Sequence, residues 1–338
     1  MSEQPRSALT DVVTEDTEKA LPVPTLPGLE AVEAEPGTAR KRARFGIAAW
    51  LAAGWVALVV ALAVLAPVLP LDPPDKTYAD CARQGPSFYS FGAEAGSATG
   101  HILGCDQNGR DMLSRLIYGA RSSLTVAAGA VTMGLILGGF LGLVAGFYRG
   151  RLEGVITGAL DIMLAIPPLV FALALVAVLS PTEVAGSEGS SGVDLPRIGV
   201  LILALGIVST PILGRITRAS ALSWSEREFV LAARAQGAKN SRIVWRDVLP
   251  NVLPAMFSIA LLGVAVVIVA EGGLSLLGVG VKPPTPSWGN IISEARGDID
   301  TAPYIVFEPA IMIFLTVLSL NFLGDVIRAR TDIREGAI

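Results

Sequence analysis

Charge is what this 338-residue chain has least of: Asp, Glu, Lys and Arg make up 17 % of it, against 52 % hydrophobic residues. That is too little polar surface to coat a water-soluble body of this length. Histidine occurs once, at His101, so a histidine zinc centre or a Ser-His-Asp triad has almost nothing to draw on. His101 therefore reads as an extracytoplasmic surface residue and not a ligand. The lysines are Lys19, Lys41, Lys76, Lys239 and Lys282, and none closes a G-x-x-x-x-G-K-[ST] phosphate loop. The chain is expected to hold no catalytic residue, no cofactor and no metal, and not to hydrolyse ATP. There is also no strand-like alternation of the kind a membrane barrel needs, and no internal repeat.

What the chain has instead is long apolar runs, with a mean hydropathy of +0.58. Six of them are long enough for a hydrocarbon core of roughly 30 Å at 1.5 Å per residue. They are about Phe45 to Leu69, Ser122 to Tyr148, Val155 to Leu179, Ile198 to Ile216, Val252 to Val281 and Tyr304 to Val326. The fifth is over-long and is expected to be tilted or partly embedded. An all-α polytopic membrane protein with six transmembrane helices follows. Its segments are a tail over 1–44, a first helix over 45–69, an outer loop over 70–121, a five-helix core over 122–327 and a short tail over 328–338.

Basic residues orient it. If the N-terminus is cytoplasmic, 18 of the 26 Lys and Arg lie inside, among them Arg40, Lys41, Arg42, Arg44, Arg149 and Arg151, and 8 lie outside. Both termini are then cytoplasmic, as an even number of spans requires. The basic clusters are thereby explained by topology, so nucleic acid is not an expected partner; membrane lipid is. The tail before Arg40 is acidic, rich in Pro and Thr and without periodicity, and reads as a solvated, disordered extension; docking a partner is the alternative. It lacks the basic start of a secretory signal.

Cys81 and Cys105 both fall in the loop after the first span. The outer compartment permits a disulfide between them, which a loop of this length would turn into roughly 3 kcal/mol of stabilisation; two unpaired thiols are the alternative. Intramembrane carboxylates are costly, about 2.5 to 3.5 kcal/mol each on insertion scales. Glu271, beside Gly272 and Gly273, reads as a packing residue, with a place on the channel side or in a pair at a subunit interface as the alternative; Asp161, just before Pro167 and Pro168, fits either role equally. Glycines 134, 138, 139, 142 and 146 give the second span a small-residue face for another helix.

The longest cytoplasmic loop, over 217–251, carries the remaining signal. Ser225 with Glu228 three residues on reads as a capping box, a helix then runs to Gln236, Gly237 breaks it, and a second basic helix from Asn240 to Val248 leads into Leu249 and Pro250. The expectation is helix, glycine turn, helix, lying at the membrane surface, with Ala232, Ala233 and Gln236 sharing one face. Physically that pattern serves an interfacial helix or a docking site alike. From Arg227 to Pro254, however, the segment resembles the EAA loop of ABC import permeases. Its alanine pair would be Ala232 and Ala233, its glycine Gly237 and its end Leu249-Pro250; Leu231 stands where that pattern has a glutamate and Asp247 where it has an isoleucine. The stretches His101 to Leu124, Glu271 to Asn290 and Leu315 to Arg328 are similar to C-type subunits of oligopeptide and dipeptide permeases.

The resemblance implies a type I ABC importer permease. It assigns Glu228, Ala232, Ala233, Arg234, Gln236, Gly237, Leu249 and Pro250 to coupling with an ATPase. It also implies a homologous B-type permease as partner, cytoplasmic ATPase subunits that bind the ATP and Mg, an extracytoplasmic solute-binding protein, and residence in a bacterial plasma (inner) membrane. Alternating access of dipeptides or oligopeptides is the expected function. The alternative is a secondary transporter working without ATPase partners, which calls for inverted repeats and more ion-coupling carboxylates than the chain has.

Overall fold

A computed structural model describes residues 46–86, 101–180 and 196–335, the last five by backbone alone. The expected acidic tail and its basic cluster lie outside the described residues. What is described is helical, with two isolated bridges, Thr77 to Arg110 and Cys105 to Asp111, as the β pairing. The helices are α1 (Ile47–Leu65), α2 (Met112–Tyr148), α3 (Gly150–Leu164), α4 (Pro168–Leu179), α5 (Arg197–Ser225), α6 (Glu228–Ala235), α7 (Asn240–Leu276), α8 (Trp288–Ala295) and α9 (Tyr304–Glu335). Five of them, α1, α2, α5, α7 and α9, are each long and apolar enough to cross a membrane. The sixth span is α3 and α4 together, bent by 90° between them. Pro167 and Pro168 cause the break: a proline disfavours helical backbone in the residue before it and offers no N–H to the preceding turn.

The frame of the bundle is the pairing of α2 with α5, the most extensive helix contact among the described residues. It exists because Gly134, Gly138, Gly142 and Gly146 recur every four residues and so form one stripe. A Cβ added at Gly138 would sit 2.3 Å from the Thr210 carbonyl, at Gly142 2.2 Å from the Gly214 carbonyl, and at Gly146 2.6 Å from the Arg218 carbonyl. The two backbones touch. In lipid, where apolar side chains gain little by leaving the solvent, such close packing is what holds helices together. α7 and α9 close the bundle, and α1 lies on α2 and α9, tied by Trp55 Nε1, which donates to Thr316 Oγ1 at 3.2 Å.

Several sequence boundaries shift. α2 begins at Met112, ten residues before the apolar run, because Arg115, which lies inside its first turns, is buried against carboxylates, as shown below. α5 continues to Ser225, so the expected loop over 217–251 shrinks to residues 226–239. The surplus of the fifth span lies at its other end: α7 stops at Leu276, and it starts at Asn240 without a break into a separate surface helix. Pro250 does not end it. Lacking an N–H, Pro250 cannot bond to the fourth residue before it, and Ile243–Val248 widen into a π turn in which the Leu249 N–H reaches the Val244 carbonyl.

Candidate functional site

At the Tyr148 end of α2 sits α6, a helix of eight residues. It is seated by a small core of its own, in which Val230 packs with Leu143 and Phe147 of α2, Trp224 of α5, and Ile243, Val244 and Val248 of α7. Arg234 stacks over Phe147 at 5.2 Å and Arg227 over Trp224 at 5.2 Å, while Arg149 pairs with Glu226 at 2.7 Å. Two helices and the start of a third thus fix the orientation of α6.

Its end is a Schellman motif. Gly237 has φ +78°, its N–H bonds to the Arg234 carbonyl at 3.0 Å, and the Ala238 N–H reaches the Ala233 carbonyl at 3.0 Å. The start differs from expectation. Ser225 is no cap: it closes α5, donating to the Leu222 carbonyl at 2.8 Å, and Arg227 is the residue before α6 with no side-chain cap. The exposed face also differs. Ala233 is drawn inward with Val230, leaving Glu228, Leu231, Ala232, Ala235 and Gln236 outside. Leu231 is 54 % exposed at the centre of that face, and Trp245 stands exposed on α7 nearby in sequence. Leu249 is half-buried against the small core and Pro250 is exposed. The result is a rigid, small-residue helix with an apolar centre, presented outward.

The two intramembrane candidates have opposite surroundings. Asp161 of α3 accepts from Arg215 of α5 at 2.6 Å, with both side chains about half exposed, and Glu153 pairs with Arg218 one level nearer the α6 end. Glu271 is 1 % exposed and accepts from three hydroxyls: Ser123 of α2 at 3.2 Å, Ser275 at 2.9 Å and Ser287 at 2.8 Å. Ser287 also caps α8 in a capping box with Asn290, and the Trp288 N–H donates to Ser123 Oγ at 3.2 Å. Glu271 is the knot that fastens α8 to α2 and α7; the fully buried Trp288 adds a bond from Nε1 to the Leu116 carbonyl at 3.0 Å. The stretch 286–295 is thereby anchored in protein.

The opposite end of α2 carries a cap that sequence reasoning resolved only in part. Cys81 and Cys105 form a disulfide. Arg110 and Arg115, both buried, share Asp106 and Glu294: Arg110 Nε lies 2.6 Å from Asp106, and Arg115 lies 3.3 Å from Asp106 and 3.2 Å from Glu294. Two cations against two carboxylates balance, which lets the group be buried. The i, i+4 spacing of Asp106 and Arg110 was a visible signal; Glu294 was not. His101 is no free surface residue, since Nδ1 lies 2.8 Å from Asp111 Oδ1 and its ring packs edge-on to Tyr78. Asp72, in the same cap, is held below the usual carboxylate range, first by a hydrogen bond from Tyr78 and then by Lys76.

Residues 138–334 match the family described as the inner membrane component of binding-protein-dependent transport systems. The chain is 38 % identical over 273 residues to a dipeptide transport system permease protein, DppC, of Alkalihalophilus pseudofirmus, covering 81 % of each. It is 38 % identical over 278 residues to a di/tripeptide transport system permease protein of Pseudomonas aeruginosa, covering 81 % of this chain and 84 % of that one. It is also 33 % identical over 284 residues to a glutathione transport system permease protein, GsiD, of Pectobacterium atrosepticum, covering 83 % and 86 %. In fold it is similar to a chain of the MetNI methionine ABC transporter, with a TM-score of 0.52 at 18 % identity over 64 % of this chain and 97 % of that one. A multi-pass bundle that carries the seated helix α6 and its Gly237 turn is matched over that same stretch, and the chain belongs to the family of inner-membrane components of binding-protein-dependent transport systems.

Proposed function

We propose that this chain is one of two membrane halves of an ATP-driven importer of short peptides, working by alternating access. The observation that carries it is the presentation of α6. A face of Glu228, Leu231, Ala232 and Ala235 is held outward on a helix that cannot swivel, because the core beneath it, two cation–π contacts and the Gly237 turn all fix it. Such a face suits the groove of an ATPase subunit. Movement imposed there passes directly to α2, α5 and α7, which make up its seat. ATP and Mg belong to those partner subunits, and this chain is non-catalytic.

The remaining parts follow the same reading. A second, homologous B-type permease completes the pathway, and the disulfide-bonded cap faces a solute-binding protein. Both termini are cytoplasmic in a bacterial plasma membrane. Peptides of two or three residues are the proposed cargo, in line with the names of the relatives. The secondary-carrier alternative is not favoured by the family membership.

The test is purification of the chain in mild detergent from its native membrane, with identification of what accompanies it and an ATPase assay after reconstitution. Recovery of a second permease, ATPase subunits and a solute-binding protein, with ATP turnover stimulated by a peptide-loaded binding protein, is the expected result. Peptide transport by the chain alone in proteoliposomes would overturn the reading.

A further inference from the structure

Between α1, α2, α7 and α9 a groove of about 490 Å³ opens on the side of the bundle. Its walls are apolar, with Val60 and Ala63 of α1, Ala128 of α2, Val264 of α7 and Leu320 of α9. Two threonines reach it, and both hydroxyls are engaged: Thr125 Oγ1 donates to the Arg121 carbonyl at 2.6 Å, and Thr316 Oγ1 accepts from Trp55. Water would find few partners there, and hydrocarbon would fit. One lining residue is charged. Arg121 is exposed at the groove, and its guanidinium has no ion-pair or hydrogen-bond partner among the described residues.

Depth decides what can answer that charge. From Arg121 to Tyr148 along α2 is about 40 Å at 1.5 Å per residue, close to the 40–45 Å of a bilayer measured with both of its headgroup regions. With the Tyr148 end and its Arg149 and Arg151 in one headgroup layer, Arg121 stands in the other. From Arg121 down to Ala128 is about 10 Å, so the groove runs within one leaflet. A spanning helix from another protein would need a groove along the whole bundle; an acyl chain needs one leaflet.

We propose that this groove holds an acyl chain of an anionic phospholipid whose phosphodiester pairs with Arg121, in the leaflet nearer the disulfide-bonded cap. The guanidinium fork matches two phosphate oxygens. The lining has a cation and no carboxylate, so nothing there would answer the amine of a zwitterionic headgroup. The lipid fills the space between α1 and the rest of the bundle.

The experiment is native mass spectrometry of the full chain in its purified complex, exchanged with phosphatidylglycerol or with phosphatidylcholine of the same chain length. The expected result is one phosphatidylglycerol retained in preference to phosphatidylcholine. Arg121→Gln weakens that retention about tenfold, while Arg121→Lys keeps part of it. Ala128→Phe, which fills the groove, expels the lipid with Arg121 intact; Val60→Met, on the exposed side of α1, does the same if Ala128→Phe does not fold. Equal retention of the two lipids overturns the proposal. So does indifference to Arg121→Gln, or retention in the groove-filled variants, which would mean a headgroup contact without an acyl site. Crosslinking of Arg121→Cys to a partner protein in place of lipid overturns it as well.

Discussion

Gly237 and Glu271 show how differently one residue can matter. Gly237 has open space where a Cβ would go, so what counts there is backbone conformation, not room. A left-handed turn costs a residue with a side chain roughly 1–2 kcal/mol, least for asparagine. Gly237→Asn is expected to keep peptide-stimulated ATP turnover near the wild-type level, and Gly237→Val to lower it about tenfold with the complex still assembled. Equal activity of the two variants in a reconstituted ATPase assay would show that the turn's conformation is irrelevant. Glu271 is the reverse case, since its environment is full. Glu271→Leu leaves three serine hydroxyls without their acceptor, at about 1–3 kcal/mol for each left unsatisfied. A lower melting temperature in detergent and new protease cleavage around α8 are expected. Unchanged melting would mean the serines find other partners.

Among the elements, the contact of α2 with α5 is the least tolerant. Gly142→Leu drives a side chain into the Gly214 carbonyl and is expected to prevent stable accumulation of the chain in the membrane. A Cβ added at Gly158, in α3, meets nothing within 4 Å, and Gly158→Leu is expected to be neutral to stability. Comparing the two by membrane yield and gel filtration separates close packing from a general dislike of bulk in helices. Elements were also where the sequence was most and least readable. The runs of α1 and α9 were plain, being apolar with few interruptions. The start of α2 was hidden because Arg110, Arg115 and Arg121 look like loop; the partner that makes burial of Arg115 affordable, Glu294, is 179 positions away. The start of α7 was hidden by Pro250, whose missing N–H is absorbed by a π turn instead of a break. For α6 the helix and its glycine end were legible from Glu228 to Gly237. Its inward face was not, because Val230 and Ala233 are drawn in by Phe147 and Trp224, which no local spacing foretells.

For the whole molecule, the excess of Lys and Arg at the α6 end predicts an orientation that labelling can check. With the cysteines of the disulfide retained, Ala232→Cys is expected to react with an impermeant maleimide only in inside-out vesicles, and Asn108→Cys only in intact cells. The reverse pattern would invert the assignment of the two ends. Burial is also divided between the ends. The cap is stiffened by a disulfide, a four-membered ion cluster and the Glu271 knot, whereas the α6 end relies on a modest apolar core and exposed ion pairs.

The glycine stripe bears on how such a bundle can move. Where α2 and α5 meet, carbonyl oxygens of one helix lie in hollows of the other with no side chain between them. Sliding would lift each carbonyl over a neighbouring turn, as a toothed rack lifts out of its pinion, and the contact along the whole stripe would be lost at once. The two helices therefore travel as a single chassis. Any shape change has to be taken up at joints without such teeth, and the bend between Leu164 and Pro168 is one such joint among the described residues.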